Sequence, residues 1–165
     1  MLLSIEYKYR VDGHNKLVRI TIKKWVSQMD FQQSLDSINY FAVLVAALSA
    51  FIIGGLWYSV LFAKAWMVEN KFTEETLRNN NMAKIFGGSF ILSLIISFVF
   101  ALFLGPDRDA LTGTLAGFMT GLFFVATAMG ITYLFERKSM KLFLINAGYH
   151  VLTFTVIGLI LGVWK

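Results

Sequence analysis

Few residues in this chain can do chemistry, and one of them stands out. His150 is the sole Asp, Glu, Lys, Arg or His inside any of four long apolar runs. An ionisable group in such a run is costly, which marks it as a functional candidate. Asn146 lies one helical turn before it and can hydrogen-bond its ring. At ~1.5 Å per residue, His150 sits about 12 Å into its run. Ser93 lies equally deep in the second run, Thr127 comparably far from the end of the third, and Trp57 and Tyr58 slightly nearer the end of the first. A polar layer of His150, Asn146, Ser93, Thr127, Trp57 and Tyr58 follows, able to bind a small solute or handle a proton. The leading reading of the same residues is interhelical glue, since such side chains hydrogen-bond across membrane helices for ~0.6 kcal/mol on average.

Other chemistry finds less support. The runs hold no carboxylate pair for general acid–base work. There is no His-Glu-x-x-His pair for zinc and no glycine-rich phosphate loop with a lysine. A serine nucleophile needs a base and an orienting acid, and only His150 is at hand. With no cysteine, thiol catalysis, disulfides and cysteine-held metal are excluded. The expectation is a chain that is not an enzyme and holds neither metal nor cofactor. Its net charge of +5 is not read as a nucleic-acid footprint, because the basic residues flank apolar runs rather than forming a compact basic domain.

The elements that must position these residues follow from charge distribution. Charged residues make up 15% of the chain, against about a quarter in soluble domains. None of them falls within 41–63, 85–104, 111–135 or 142–164. A hydrocarbon core of ~30 Å needs ~20 helical residues, so each run is long enough to span. None alternates in polarity as a barrel strand would, and the only proline, Pro106, falls between the second and third runs. The fold class is therefore all-α, an integral membrane bundle of four transmembrane helices with the lipid bilayer as its first partner.

Small residues recur at four-residue spacing in every run: Ala42, Ala46, Ala50 and Gly54; Ser89, Ser93, Ser97, Ala101 and Gly105; Gly113, Gly117 and Gly121; Gly158 and Gly162. In lipid, such residues let helix backbones approach closely. On the fourth helix Asn146, His150, Thr153 and Ile157 share one face, while Gly148, Thr155, Gly158 and Gly162 lie nearly opposite. A helix with two packing faces is central in its bundle or shared with another subunit, so a homo-oligomer through the glycine face, or another membrane protein, is an expected partner. Lys64, Lys71, Arg78 and Lys84 follow the first run and Arg137, Lys138 and Lys141 follow the third, while the opposite side has Arg108 and Lys165, plus Lys23 and Lys24 of the N-terminal segment. The basic excess places loops 64–84 and 136–141 in the cytoplasm and both termini outside, in a multi-pass protein of a cell (inner) membrane. Within 64–84, Thr73 with Glu74 and Glu75 signals a short helix, and Lys64, Trp66 and Lys71 read as interfacial anchors.

Residues 1–38 form a separate N-terminal extension, leaving 39–165 as the transmembrane domain. Tyr7, Tyr9 and Val11 alternate with polar residues, Asp12-Gly13-His14-Asn15 supplies turn chemistry, and Val18, Ile20 and Ile22 alternate again. That pattern predicts a β-hairpin. Met29-Asp30-Phe31 also reads as an alternative start, with the preceding stretch an overcalled one.

Gly54-Gly55-Leu56-Trp57-Tyr58-Ser59, Leu61 to Met67, Leu134-Phe135-Glu136-Arg137, Leu144 to His150 and Gly162-Val163-Trp164 occur in this order. Over about 39–164 the chain resembles domain of unknown function family 1761 (DUF1761), small bacterial membrane proteins. The resemblance implies a four-helix membrane protein, makes Trp57, Asn146 and His150 parts of family motifs, and carries over no catalytic residue. A glycine usually stands at the position of Ala63, so the turn leaving the first span is expected to be less tight here. The combined reading is a non-enzymatic membrane protein, with a small transporter or channel subunit built around His150 as the alternative.

Overall fold

The computed structural model describes residues 4–11, 14–21, 31–78 and 81–164. Contacts divide the chain into two units, Met1–Asp36 and Ser37–Lys165. In the first, Ser4–Val11 pairs antiparallel with His14–Thr21, and Tyr7 stands opposite Val18 and Ile5 opposite Ile20. Tyr9 and Val11 stand opposite Lys16 and His14, so the alternating apolar positions of the two strands meet over only part of the ribbon. A six-residue helix, Phe31–Asp36, closes this unit. The turn residues Asp12 and Gly13, together with Ile22 and the alternative start at Met29, lie outside the described residues.

The second unit is all-α and contains four helices long and apolar enough to cross a membrane: Tyr40–Leu61, Met82–Leu104, Ala110–Phe135 and Met140–Val163. Each begins on a polar cap. The side chains of Asn39, Asn81, Asp109 and Ser139 accept hydrogen bonds from backbone N–H groups two or three residues on. Such caps satisfy donors that the first turn leaves orphaned. They start the helices one to three residues ahead of the charge-free runs 41–63, 85–104, 111–135 and 142–164. The first helix ends early, at a kink where Phe62 adopts φ −121° and ψ 9°. Ala63 then opens a further helix, Ala63–Asn70, so the turn is made by Phe62 rather than by the position where a glycine is usual.

The fourth long helix lies between the first and the third, and the second packs on the first. The fourth is accordingly the most buried and the third the least. Buried on the first helix are Ala42, Ala46, Ala47 and Ala50, and on the fourth Leu142, Ile145, Ile157 and Leu161. The small residues of the first helix let its neighbours approach closely.

The third and fourth helices meet backbone to backbone. A Cβ added at Gly113 would strike the Gly158 carbonyl, one at Gly117 the Phe154 carbonyl, and one at Gly162 the Asp109 carbonyl. At Gly121 it would come within 2.8 Å of the Val151 Cα. Contacts stepping by four along both antiparallel helices show that the glycine stripes are complementary to each other. The fourth helix is thus central in its bundle. The glycine face of the fourth helix is covered by the chain's own third helix, and Gly148 packs on the Trp57 ring, so a homodimer through that face would have to displace both. Gly54 meets the Tyr149 ring at ordinary contact distance.

Candidate functional site

Two stretches of the long helices are wound as π-helix, Trp57–Leu61 and Thr120–Ala126. Such turns are rare and concentrate at functional sites. Both meet the fourth helix over the same two turns: Trp57 reaches Ile145 and Gly148, and Gly121 abuts His150 and Val151. The candidate site is the cluster of side chains at this level.

The Trp57 indole N–H donates to the Ile145 carbonyl at 2.9 Å, across from the first helix to the fourth. The Tyr58 hydroxyl donates to Asn146 Oδ1 at 2.9 Å. The Asn146 Nδ2 group donates to the Tyr133 hydroxyl at 2.8 Å. Asn146 therefore joins the first, fourth and third helices through one side chain, and its amide is not turned to the His150 ring. Aromatic rings close around this chain: Tyr58 lies 5.1 Å from Tyr149 and 5.3 Å from Trp66, and Tyr149 lies 5.1 Å from His150. These separations are those of favourable aromatic pairs. The Tyr149 hydroxyl also donates weakly to the Ala50 carbonyl at 3.4 Å.

Trp57, Tyr58, Asn146 and His150 are thus brought together, with Tyr133 and Tyr149 as members that spacing alone does not single out. His150 is half-buried against Tyr149, and among the described residues no hydrogen bond reaches its ring. Ser93, half-buried on the second helix, has no described contact with the cluster. Thr127 is exposed and turns its hydroxyl back on the Phe123 and Phe124 carbonyls of its own helix. It directly follows a π-segment, where each residue turns the helix by less than 100°, so a uniform α-helical phase misplaces it. Further along, among the described residues the buried Ser97 and Thr153 hydroxyls make no hydrogen bond of ordinary geometry.

A second polar centre, missed in the sequence, surrounds Arg108. It lies in the short link between the second and third helices and is only 2% exposed. Its Nε donates to the Leu161 carbonyl at 2.8 Å, Nη1 to Gly105 at 2.6 Å and Nη2 to Ser37 at 3.2 Å. Three helix ends converge there: the approach to the first, the end of the second and the last turn of the fourth. A cation at helix C-termini also opposes the dipoles there. Burial lowers its pKa from the ordinary arginine range. The overlooked signal is an arginine in a link too short to lift it away from the helix ends.

At the opposite end of the bundle, Thr73 caps the short helix Glu74–Arg78 by accepting from the Thr76 N–H at 3.2 Å, where the sequence predicts a helix. The helix Ala63–Asn70 carries Glu69, which accepts from the Ser139 hydroxyl at 2.5 Å and lies 3.7 Å from Lys141 Nζ. Beside this contact runs an open apolar groove of ≈ 630 Å³. Trp57, Phe62 and Ala65 form one wall, and Lys141, Leu144, Ile145 and Gly148, one face of the fourth helix, form the other. Among the described residues, no three His, Cys, Asp or Glu converge as metal ligands would.

The class defined by this fold and site is a four-helix bundle of membrane-crossing dimensions, held by a tyrosine–asparagine–tyrosine chain at one level and a buried arginine at one end. The profile of DUF1761, described as a protein of unknown function, matches residues 41–162, and the chain belongs to this family. No curated protein and no solved structure matches it.

Proposed function

We propose that this chain is a multi-pass protein of a bacterial inner membrane with a structural, non-enzymatic role. Exposed Ile52, Phe103, Phe124 and Leu144 place a large apolar side chain on the outside of each long helix, and an apolar surface of that extent calls for lipid. The observation that carries the non-enzymatic reading is Asn146. Its carbonyl and its amide are both engaged by tyrosines from neighbouring helices, as glue requires. Loops 64–84 and 136–141 lie in the cytoplasm, with both termini outside. The partners in this reading are the bilayer and a further membrane protein or second copy, with no nucleic acid.

One observation favours a second reading, a small transporter or channel subunit with its polar site at His150: the ring lies against Tyr149 with no described hydrogen bond, and its backbone carbonyl abuts Gly121 of the second π-segment. The discriminating experiment is His150→Phe and His150→Gln in cells whose knockout has a growth defect under ion, pH or osmotic stress. The structural reading expects His150→Phe to retain both growth and assembly. A folded, correctly inserted variant without function would establish the second reading instead.

A further inference from the structure

The groove beside Lys141 combines features that the structural role does not use. Its fourth-helix wall is Lys141, Leu144, Ile145 and Gly148, a run of about 10 Å along the helix axis. At Gly148 the absence of a side chain lets the Trp57 ring lie against the helix; a Cβ there would come within 3.0 Å of it. The walls are otherwise apolar, and Lys141 stands at the mouth, at the second residue of its helix. An apolar channel entering a bundle from a cationic rim has the polarity of a phospholipid. At the rim Glu69 accepts from the Ser139 hydroxyl and lies 3.7 Å from Lys141 Nζ. Against Glu69 and Glu136 stand Lys64, next to the lining Ala65, and Arg137, Lys138 and Lys141. The balance favours an anion.

We propose that this groove binds an anionic phospholipid, with its acyl chain along the face from Leu144 to Gly148 and its phosphate against Lys141. The proposal rests on the membrane reading above. A second copy fits the groove less well: inserted in the same orientation, it would bring its own basic loops to the same level as these.

The test uses the full chain purified in mild detergent, mixed with phosphatidylglycerol or phosphatidylcholine of identical acyl chains, and weighed intact by native mass spectrometry. The expected result is preferential retention of phosphatidylglycerol. Lys141→Gln, an exposed change, should cut that preference roughly fivefold, the share of one lysine at an anionic surface. Ala65→Phe, which fills the groove, should cut retention of both lipids, while Lys84→Gln should change neither. Equal retention of the two lipids, or a preference indifferent to Lys141→Gln, would overturn the proposal, as would a dimer that Ala65→Phe dissociates. Carbonate washing of the membranes separates the two readings. A chain stripped by carbonate ends both, whereas a chain retained without lipid preference ends only the groove.

Discussion

At the scale of single residues, the two polar centres differ in kind and should fail differently. Asn146 makes one neutral bond to each of two tyrosines, and such bonds are weak in a membrane because the separated helices also find partners. Asn146→Leu should therefore cost about 1–2 kcal/mol of bundle stability, and Tyr58→Phe or Tyr133→Phe roughly half that. Reversible unfolding in detergent, run as a double-mutant cycle, would read the coupling; additive tyrosine effects would show that the chain of bonds does not act as a unit. Arg108 holds three carbonyls with a charge, so Arg108→Met should cost about 3 kcal/mol or more. Arg108→Lys should rescue little, because a point ammonium cannot span acceptors placed for a planar fork. The sign of the pH effect follows from burial. A lowered folded pKa means that the unfolded chain binds more protons between the two values, so stability rises with pH there. That window is strongly alkaline, and arginine stays charged below it. The stability difference between wild type and Arg108→Met should be constant from pH 5 to 9; a difference that changes across this range would mean a second titrating group is coupled to the arginine. Asn146 was legible in the sequence by its depth. Arg108 was not, since charge counting treats every basic residue outside a run as an orienting flank.

At the scale of elements, the close approach of the third and fourth helices separates glycines that are alike in sequence. Gly113, Gly117, Gly158 and Gly162 face a neighbouring backbone, while Gly55, Gly87 and Gly88 have nothing within 4 Å of an added Cβ. Alanine at any of the first four should cost about 1–3 kcal/mol, because backbone cannot yield as a flexible side chain can. Alanine at Gly55, Gly87 or Gly88 should be neutral or stabilise by about 0.5–1 kcal/mol through helix propensity. Thermal denaturation of the seven variants would check the division, and uniform effects would contradict the register. The four-residue spacing revealed the stripes, but not their partners. Mate assignment depends on which helices are neighbours, and a glycine pattern fits any of them. The helix starts were likewise missed by run-counting, since Asn39, Asn81, Asp109 and Ser139 are polar and carry helix into the flanks. The π-segments leave no mark in composition, and they account for Thr127 lying outside the cluster.

At the scale of the whole molecule, four charge-free runs sufficed to read the bundle, while the order in which the helices pack did not follow from them. The fourth lies between the first and third because Gly158 and Gly162 fit the third while Ile145, Asn146 and Gly148 take Trp57 and Tyr58 of the first. Orientation remains the question that charge addresses and packing does not, because a bundle inverted in the bilayer keeps every internal contact. Arg108 bears on it: its charge is held by three carbonyls, whereas Lys64, Lys84, Arg137, Lys138 and Lys141 at the other end of the bundle are all exposed. With the basic loops inside, Asp107→Cys should react with an impermeant maleimide in intact cells. Glu75→Cys and Glu136→Cys should react only after permeabilisation. All three side chains are exposed, so failure to label reports the membrane rather than burial, and the chain has no cysteine of its own to confuse the result. Labelling in the reverse pattern would invert the topology while leaving the bundle, the tyrosine–asparagine chain and the arginine centre as described.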